Sequence, residues 1–259
     1  MPNKNIVFIH GMFMTPLCWE EWVKYFQANG YTCTAPSWPG RDAPIVTQRK
    51  NHPDATLGKL TLTAVVDHLT KQIQLLENTP ILLGHSMGGL ITQILVNRDL
   101  AAAGIAIDSA PSAGVFTTKW SFLKANFPMI SPFVSKYQPC QMSFEDFQYA
   151  FVNNMPLEEQ RAAYDRYVVP ESRQVPQESL GGIAKIDFKK PHAPLLMIAG
   201  SDDHIIPASL NKSNFEKYRA SSSLTEFKEF PGRVHFIIGQ KNWQEVADYC
   251  LAWLKEKSI

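Results

Sequence analysis

Short apolar runs alternate with segments of helical periodicity along most of the chain. Strand signals span residues 5–10, 31–35, 80–84, 104–107, 193–199 and 224–230, and helical signals span 16–29, 61–77, 87–98, 208–219 and 242–255. Residues 36–60 are rich in Pro, Asp, Arg and His without periodicity, which predicts a surface loop. Strands that alternate with helices imply an α/β fold, a mostly parallel sheet of about six strands covered by helices on both faces.

The alternation stops between residues 111 and 191, where aromatic residues and methionines are separated by prolines. We predict an α/β core formed by residues 1–110 and 192–259, and a helical cap formed by the inserted residues 111–191. The cap is expected over the carboxyl edge of the sheet, where open α/β sheets bind ligands. The alternative is a loosely attached helical subdomain whose aromatic residues form a small core of their own.

Composition narrows the possible partners. The 259 residues are 45% hydrophobic, and 25 basic side chains balance 24 acidic ones without long runs of either sign. This balance gives no electrostatic reason to expect nucleic acid or an anionic membrane as a partner, and it favours a small-molecule substrate. The apolar run after the first residues is too short for a signal peptide or a membrane span, so a cytoplasmic protein is expected.

The cysteines are far apart and have no histidine cluster beside them. They do not match the spacing of a zinc site or a redox pair, so we expect reduced, mostly buried thiols and no metal. The four residues are Cys18, Cys33, Cys140 and Cys250.

The sequence Gly84-His85-Ser86-Met87-Gly88 lies between an apolar strand signal and a helical one. A serine there must occupy a sharp, strained strand-to-helix turn, and small residues on both sides give that turn room. Such a turn points Ser86 at the helix N-terminus, where free N–H groups favour a developing oxyanion. Ser86 is therefore the predicted nucleophile; the alternative is a glycine-rich helix start that merely packs tightly.

A serine nucleophile needs a base and a supporting carboxylate. Of the seven histidines, His235 follows the last strand signal and a Pro-Gly turn, which places it at the same sheet edge as Ser86. The preferred acid is Asp203, with Asp202 second, although both could be ordinary turn residues. Asp108, at the end of the strand before the insert, is a third candidate.

Two backbone N–H groups are candidates for the oxyanion hole. Met87 follows the nucleophile, and Met12 lies in the loop after the first strand, at the same edge. His10 and His85 are interpreted as bracing and packing residues. Aromatic side chains in these loops and in the insert are candidates for binding an apolar substrate: Phe13, Trp38, Phe116, Trp120 and Phe236.

Four motifs occur in an order that resembles the α/β-hydrolase superfamily. They are Ile9-His10-Gly11, Gly84-His85-Ser86-Met87-Gly88-Gly89, Gly200-x-x-Asp203-x-x-x-Pro207 and Arg233-Val234-His235-Phe236. The resemblance implies a Ser86–Asp203–His235 triad with Met12 and Met87 as oxyanion donors, and no cofactor. It also implies that the first two strands of the full family sheet are missing here. Residues 10–19 look like those of small plant-type esterases and hydroxynitrile lyases.

The expected activity is hydrolysis of a carboxylic ester through an acyl-enzyme, as in serine esterases and lipases. The same triad could serve an acyltransferase, lactonase, peptidase or perhydrolase. A lyase or cofactor-free oxygenase is a second class, and a non-catalytic ligand receptor is a third. Family members that release halide or open epoxides have Asp at the nucleophile position. The resemblance therefore implies that Ser86 disfavours these two activities.

Overall fold

One sheet of six parallel strands forms the centre of the protein in a computed structural model, which describes residues 4–131 and 133–259. The strand order is β2-β1-β3-β4-β5-β6. The predicted α/β fold is therefore confirmed. The strands are β1 (Asn5–Ile9), β2 (Thr32–Thr34), β3 (Ile81–His85), β4 (Ala103–Ile107), β5 (Leu195–Gly200) and β6 (Thr225–Phe230).

Helices cover both faces of this sheet. The α-helices of the described residues are α1 (Glu20–Ala28), α2 (Ile45–Lys50), α3 (Leu62–Gln74), α4 (Met87–Asn97), α5 (Trp120–Ile130), α6 (Phe144–Ala150), α7 (Leu157–Tyr167), α8 (Gln174–Glu178), α9 (Ala208–Lys217) and α10 (Gln244–Glu256). Short 3-10 helices occur at Pro16–Trp19, Leu57–Lys59, Gly182–Ala184 and Tyr218–Ala220. Within the described residues, no helix is both long and apolar enough to cross a bilayer.

The central strands are apolar on both sides because each face is covered. Every residue of β3, β4 and β5 is buried, as expected for a parallel sheet between two helical layers. On one face Phe8 packs with Trp19 and Phe26. On the other face α3 and α4 cover the sheet. The side chain of Thr61 caps α3 by accepting a hydrogen bond from the N–H of Ala64.

The structure differs from the prediction in the segment between β2 and α3. The predicted loop contains α2 and a 3-10 turn. None of the residues of α2 is buried, and Pro44 precedes it without a side-chain cap. The helix therefore has no apolar stripe, which is the signal by which a helix is found in a sequence.

The register of the sheet brings the carboxyl ends of the strands together. Ile9 pairs with Gly84, and His85 pairs with Ile107. Ile107 in turn pairs with Ile198, and Gly200 with Phe230. The loops that follow these strands therefore leave the sheet at one edge, and they carry the residues of the candidate active site.

Candidate active site

Ser86 occupies a strained turn between β3 and α4. Its backbone has φ 58° and ψ −121°, in a region that side chains disfavour. The turn is also tightly packed: a Cβ on Gly84 would lie 2.1 Å from the carbonyl oxygen of Gly88, and one on Gly88 would lie 2.1 Å from that of Ile9. Only glycine fits at either position, so the strained backbone at Ser86 depends on these two glycines.

Ser86, His235 and Asp203 form a continuous hydrogen-bonded chain. The Nε2 atom of His235 is 2.9 Å from Ser86 Oγ, and its Nδ1 atom is 2.6 Å from Asp203 Oδ2. A carboxylate only accepts hydrogen bonds, so Nδ1 carries the proton and Nε2 is free to accept the proton of the serine hydroxyl. All three residues are buried. The structure thus brings together the three residues that the sequence predicts as a triad.

The environment of the triad keeps the imidazole neutral and holds the carboxylate in place. Burial lowers the pKa of His235 well below its usual range. Burial also raises the pKa of Asp203, and hydrogen bonds from the backbone N–H groups of Ile206 and Ile205 oppose that rise. Those two N–H groups both bind Asp203 Oδ1, at 2.8 and 2.7 Å. Asp203 therefore has donors on both oxygens, an arrangement that favours its ionised form.

The other two candidate acids occupy different positions. Asp202 is only half-buried, and its carboxylate contacts Ser201 and Asn154 rather than His235. Asp108 is fully buried; its Oδ1 accepts a hydrogen bond of 2.7 Å from the N–H of Gly200, while Oδ2 has no partner among the described residues. Burial and then the charge of Asp203 raise the pKa of Asp108. Asp108 accepts fewer hydrogen bonds than Asp203, so its surroundings oppose the rise in its pKa less.

His85 packs against the loop that carries His235. Its Nε2 lies 2.7 Å from the backbone oxygen of His235, and the two rings are 4.7 Å apart. His85, Asp108 and His235 also place potential metal-ligating atoms within 4.8 Å of one another, the one such group found in the described part of the chain. Both ring nitrogens of His235 are already hydrogen-bonded to Asp203 and Ser86, so this group does not suit a metal ion.

Two backbone N–H groups lie beside the nucleophile. Met87 is the first residue of α4, so its N–H has no acceptor within the helix. Met12 lies in the turn after β1, and both residues line the same cavity as Ser86. The turn lies close to the nucleophile, since a Cβ on Gly11 would be only 2.8 Å from the Cβ of Ser86. Both residues therefore lie at the cavity that contains Ser86, and they stay the predicted oxyanion donors.

A buried ion pair, not predicted from the sequence, holds the turn after β1. Glu171 Oε2 accepts a hydrogen bond from the N–H of Phe13 at 3.1 Å, and Oε1 lies 3.4 Å from the guanidinium of Arg41. Arg41 also donates to the carbonyl oxygens of Pro170 and Met14. Phe13 itself has a positive φ of 61°. Arg41 and Glu171 are 130 positions apart and belong to no local motif, so no sequence signal indicates their contact.

A cavity of about 270 Å³ lies between the strand ends and the insert. Ser86 and Met12 contribute to its floor, while the insert contributes apolar side chains, among them Phe122 and Met129. The polar side chains in its lining are few: Ser86, Ser112, Asn126 and Ser179. Among the described residues, no charged side chain lines it. The cavity suits a small, neutral and mainly apolar molecule.

A sequence profile of the alpha/beta hydrolase family matches residues 6–249, which is nearly the whole chain. The chain belongs to the alpha/beta hydrolase family. The predicted resemblance is thereby confirmed, and the protein is a hydrolase by family.

Solved structures of other hydrolase-fold proteins show the same architecture. An extracellular alpha/beta-hydrolase from a Paenibacillus species superposes with a TM-score of 0.71 at 19% identity, over 96% of this chain and 98% of the other. A point mutant of tomato methylketone synthase I gives 0.70 at 15% identity, over all of both chains. A monoacylglycerol lipase from Paleococcus ferrophilus gives 0.69 at 18% identity, over 98% and 95%. At these identities the likeness concerns the fold.

The five aromatic candidates occupy different places in this hydrolase. Phe13 and Phe116 line the cavity. Trp38 is instead fully buried and stacks on His10 at 4.7 Å, and Phe236 is buried against Tyr167 at 5.4 Å. Trp120 lies on the surface, with 74% of it exposed. Trp38, Phe236 and Trp120 are therefore removed from the predicted substrate-binding set, because none of them faces the cavity.

The thiols are free, as the sequence predicted, but only two of the four are buried. Cys18 and Cys250 are buried, whereas Cys33 and Cys140 are half-buried. Burial raises the pKa of each of these thiols, so none is poised as a thiolate nucleophile.

The insert is joined to the site by backbone hydrogen bonds. The N–H of Val169 donates to the carbonyl of Phe13 at 2.9 Å, next to the candidate oxyanion donor. The N–H of Phe236 donates to the carbonyl of Phe151 at 2.9 Å, one residue from the candidate base. The ring of Phe151 also meets that of His235 edge-on at 4.9 Å. The central and last parts of the insert are thus continuous with the loops that carry the chemistry.

Proposed function

We propose that this hydrolase cleaves a carboxylic ester of a small, largely apolar substrate through an acyl-enzyme formed on Ser86. The observation that carries the proposal is the continuous chain Ser86 Oγ, His235 and Asp203, with distances of 2.9 and 2.6 Å. The names of several structural neighbours, which are esterases and lipases, agree with ester chemistry.

In the proposed first step, Ser86 Oγ attacks the ester carbonyl while His235 Nε2 takes the hydroxyl proton. The negative charge that develops on the carbonyl oxygen is stabilised by the N–H groups of Met12 and Met87. Asp203 holds the imidazolium that forms and keeps its Nδ1 proton oriented. The imidazolium then protonates the leaving alcohol, which departs and leaves an acyl group on Ser86.

In the second step, water replaces the alcohol. His235 removes a proton from the water, the resulting hydroxide attacks the acyl carbonyl, and Ser86 recovers its proton as the acid is released. The insert acts as a cap in this proposal, because its side chains form much of the cavity lining opposite the nucleophile. Excluding water from this lining strengthens the hydrogen bonds to the oxyanion.

The test is the hydrolysis of p-nitrophenyl esters by the wild type and by Ser86→Ala. We expect the substitution to lower kcat/KM by on the order of a thousandfold or more. Ser112→Ala is a matched control, since Ser112 also lines the cavity but its hydroxyl donates to Asn214 rather than to the histidine. Activity of Ser86→Ala within a few fold of wild type would exclude the serine mechanism.

Two further measurements separate the proposal from its alternatives. A fluorophosphonate probe should label Ser86 in the wild type and leave the Ser86→Ala variant unlabelled, and burst kinetics should accompany turnover. A binding-only receptor would show neither turnover nor a burst. The apolar lining also predicts that butyrate and hexanoate esters are better substrates than acetate; equal kcat/KM across the series would contradict an apolar acyl site.

A further inference from the structure

Helix α5 has apolar side chains on two opposite faces. The inner side chains, Phe122, Ala125, Asn126 and Met129, line the cavity. The outer side chains are spaced three and four residues apart along one stripe, and all are exposed: Trp120, Leu123, Phe127 and Ile130. Packing within the protein accounts for the inner face only. We call the outer stripe the α5 face.

The α5 face adjoins the opening of the cavity. Phe116, Ile130 and Leu180 line the cavity and are also exposed, so they mark its mouth. Phe116 and Leu180 are 81% and 72% exposed. The apolar surface around the mouth is therefore continuous with the outward stripe of α5, and a molecule that leaves this surface can enter the cavity.

The charged side chains of the segment that carries the α5 face, residues 109–144, have one sign. Between Asp108 and Glu145 the sequence contains Lys119, Lys124 and Lys136 and no acidic residue. All three lysines are exposed, and none pairs with a carboxylate among the described residues. At about 100° per residue, Lys119 and Lys124 fall on opposite edges of the apolar stripe. The near-neutral charge of the whole chain hides this local excess.

We propose that the α5 face is a docking surface for an anionic lipid bilayer. An apolar stripe of aromatic and aliphatic side chains with lysines along its edges matches a helix that lies in the plane of a membrane interface. The stripe enters the boundary between headgroups and acyl chains, and the lysines meet the lipid phosphates. A second copy of this chain fits less well, because pairing two α5 faces would bring the lysines that flank them together.

Docking in this orientation places the cavity mouth on the bilayer. A neutral apolar ester dissolved in the membrane then reaches Phe116 without crossing water. This consequence extends the proposed function, but vesicle binding itself does not require catalysis. It is measured equally well with Ser86→Ala, so failure of the docking proposal and failure of the esterase proposal are distinguishable.

The test is binding of the full chain to phosphatidylcholine vesicles with and without phosphatidylglycerol. We expect cosedimentation with the anionic vesicles, weaker binding to phosphatidylcholine alone, and loss of binding at high salt. A blue shift of tryptophan emission should accompany binding. Trp120 is the natural reporter, since Trp19, Trp22, Trp38 and Trp253 are buried and Trp243 is half-buried.

Three variants identify the surface. Lys119→Gln with Lys124→Gln should weaken binding to anionic vesicles about 25-fold, about fivefold for each lysine. Trp120→Ser with Phe127→Ser should weaken it at least about tenfold. Leu75→Ser is the matched control; Leu75 is 85% exposed but lies outside the insert, and its replacement should leave binding unchanged. These positions are all at the surface, so the fold is retained.

The proposal is overturned if wild type shows no preference for anionic vesicles at low salt, or if the lysine and aromatic variants bind as wild type does. It is also overturned if wild type does not bind vesicles and analytical ultracentrifugation shows that it is a dimer, which dissociates in the variant Trp120→Ser/Phe127→Ser. That outcome would assign the α5 face to a second copy of the chain.

Discussion

Replacing Glu171 by Ala would leave Arg41 as an unpaired charge inside the protein. The two side chains are 1% and 0% exposed, and the carboxylate also accepts hydrogen bonds from the N–H groups of Phe13 and Ser172. Removing one partner of a buried ion pair costs about 3–5 kcal/mol. That figure already includes the desolvated groups left without partners, so the backbone hydrogen bonds are not added to it.

Urea unfolding measures this loss. With an m value of about 3 kcal/mol per M, a loss of about 3–5 kcal/mol lowers the midpoint by about 1–1.7 M at unchanged m. Arg166→Ala is the matched control, because the exposed pair Arg166–Glu20 should contribute less than about 1 kcal/mol. The double variant Arg41→Met/Glu171→Leu should recover much of the loss, since it removes both charges and retains volume.

Activity gives a second readout of the same substitution. Glu171→Ala also frees the Phe13 N–H, which fixes the turn that carries Met12. At urea concentrations where the variant is folded, we expect kcat to fall more than KM changes, because a displaced oxyanion donor affects the transition state most. A midpoint within about 0.3 M of wild type, or a double variant no more stable than the single one, would refute the reasoning.

The other predictions concern the candidate triad and its turn. Asp203→Asn should lower kcat by about 10⁴-fold, because it loses the acceptor that fixes the imidazole tautomer, whereas Asp202→Asn should stay within a few fold of wild type; equal losses would mean that Asp203 is not the acid. In the proposed mechanism the neutral form of His235 is the base, so activity should fall as pH falls through its pKa. Because burial lowers that pKa, the acidic limb of kcat/KM against pH should have its midpoint below about 6.5, and a midpoint above about 7 would contradict it. Gly11→Ala would bring a Cβ to 2.8 Å from that of Ser86; we expect a stability loss of about 1–3 kcal/mol and lower kcat, and an unchanged melting temperature and rate would show that the turn is less tightly packed.

The sheet and the candidate triad were predictable because their signals are local. An apolar run ending at Gly84-His85-Ser86 predicts both the strand and the turn, and the strands supply the common edge. The sequence favoured Asp203 but left Asp108 open as the acid, since both follow strands of the same edge; in the structure Asp203, and not Asp108, is hydrogen-bonded to His235.

The features that could not be predicted depend on side-chain orientation or on contacts between distant parts of the chain. Trp38 and Phe236 lie in loops at the catalytic edge, yet both point into packed interior rather than into the cavity. The pair Arg41–Glu171 joins a loop to the insert across 130 positions, so no periodicity marks it. Helix α2 has no buried residue, so its sequence shows no apolar periodicity by which the helix could be predicted. Each of these features is fixed by tertiary contacts.

The hydrogen bonds from Val169 to Phe13 and from Phe236 to Phe151 make the insert a poor candidate for wholesale exchange. A chimera carrying the corresponding segment of another hydrolase would have to recreate both bonds. Without them, the loops that carry the candidate oxyanion donor and the candidate base would be misaligned. Redesign of substrate preference is better confined to Phe116, Phe122 and Met129, which line the cavity without making either bond. In this protein the insert that lines the cavity also holds, through these two bonds, the loops that carry the candidate oxyanion donor and the candidate base.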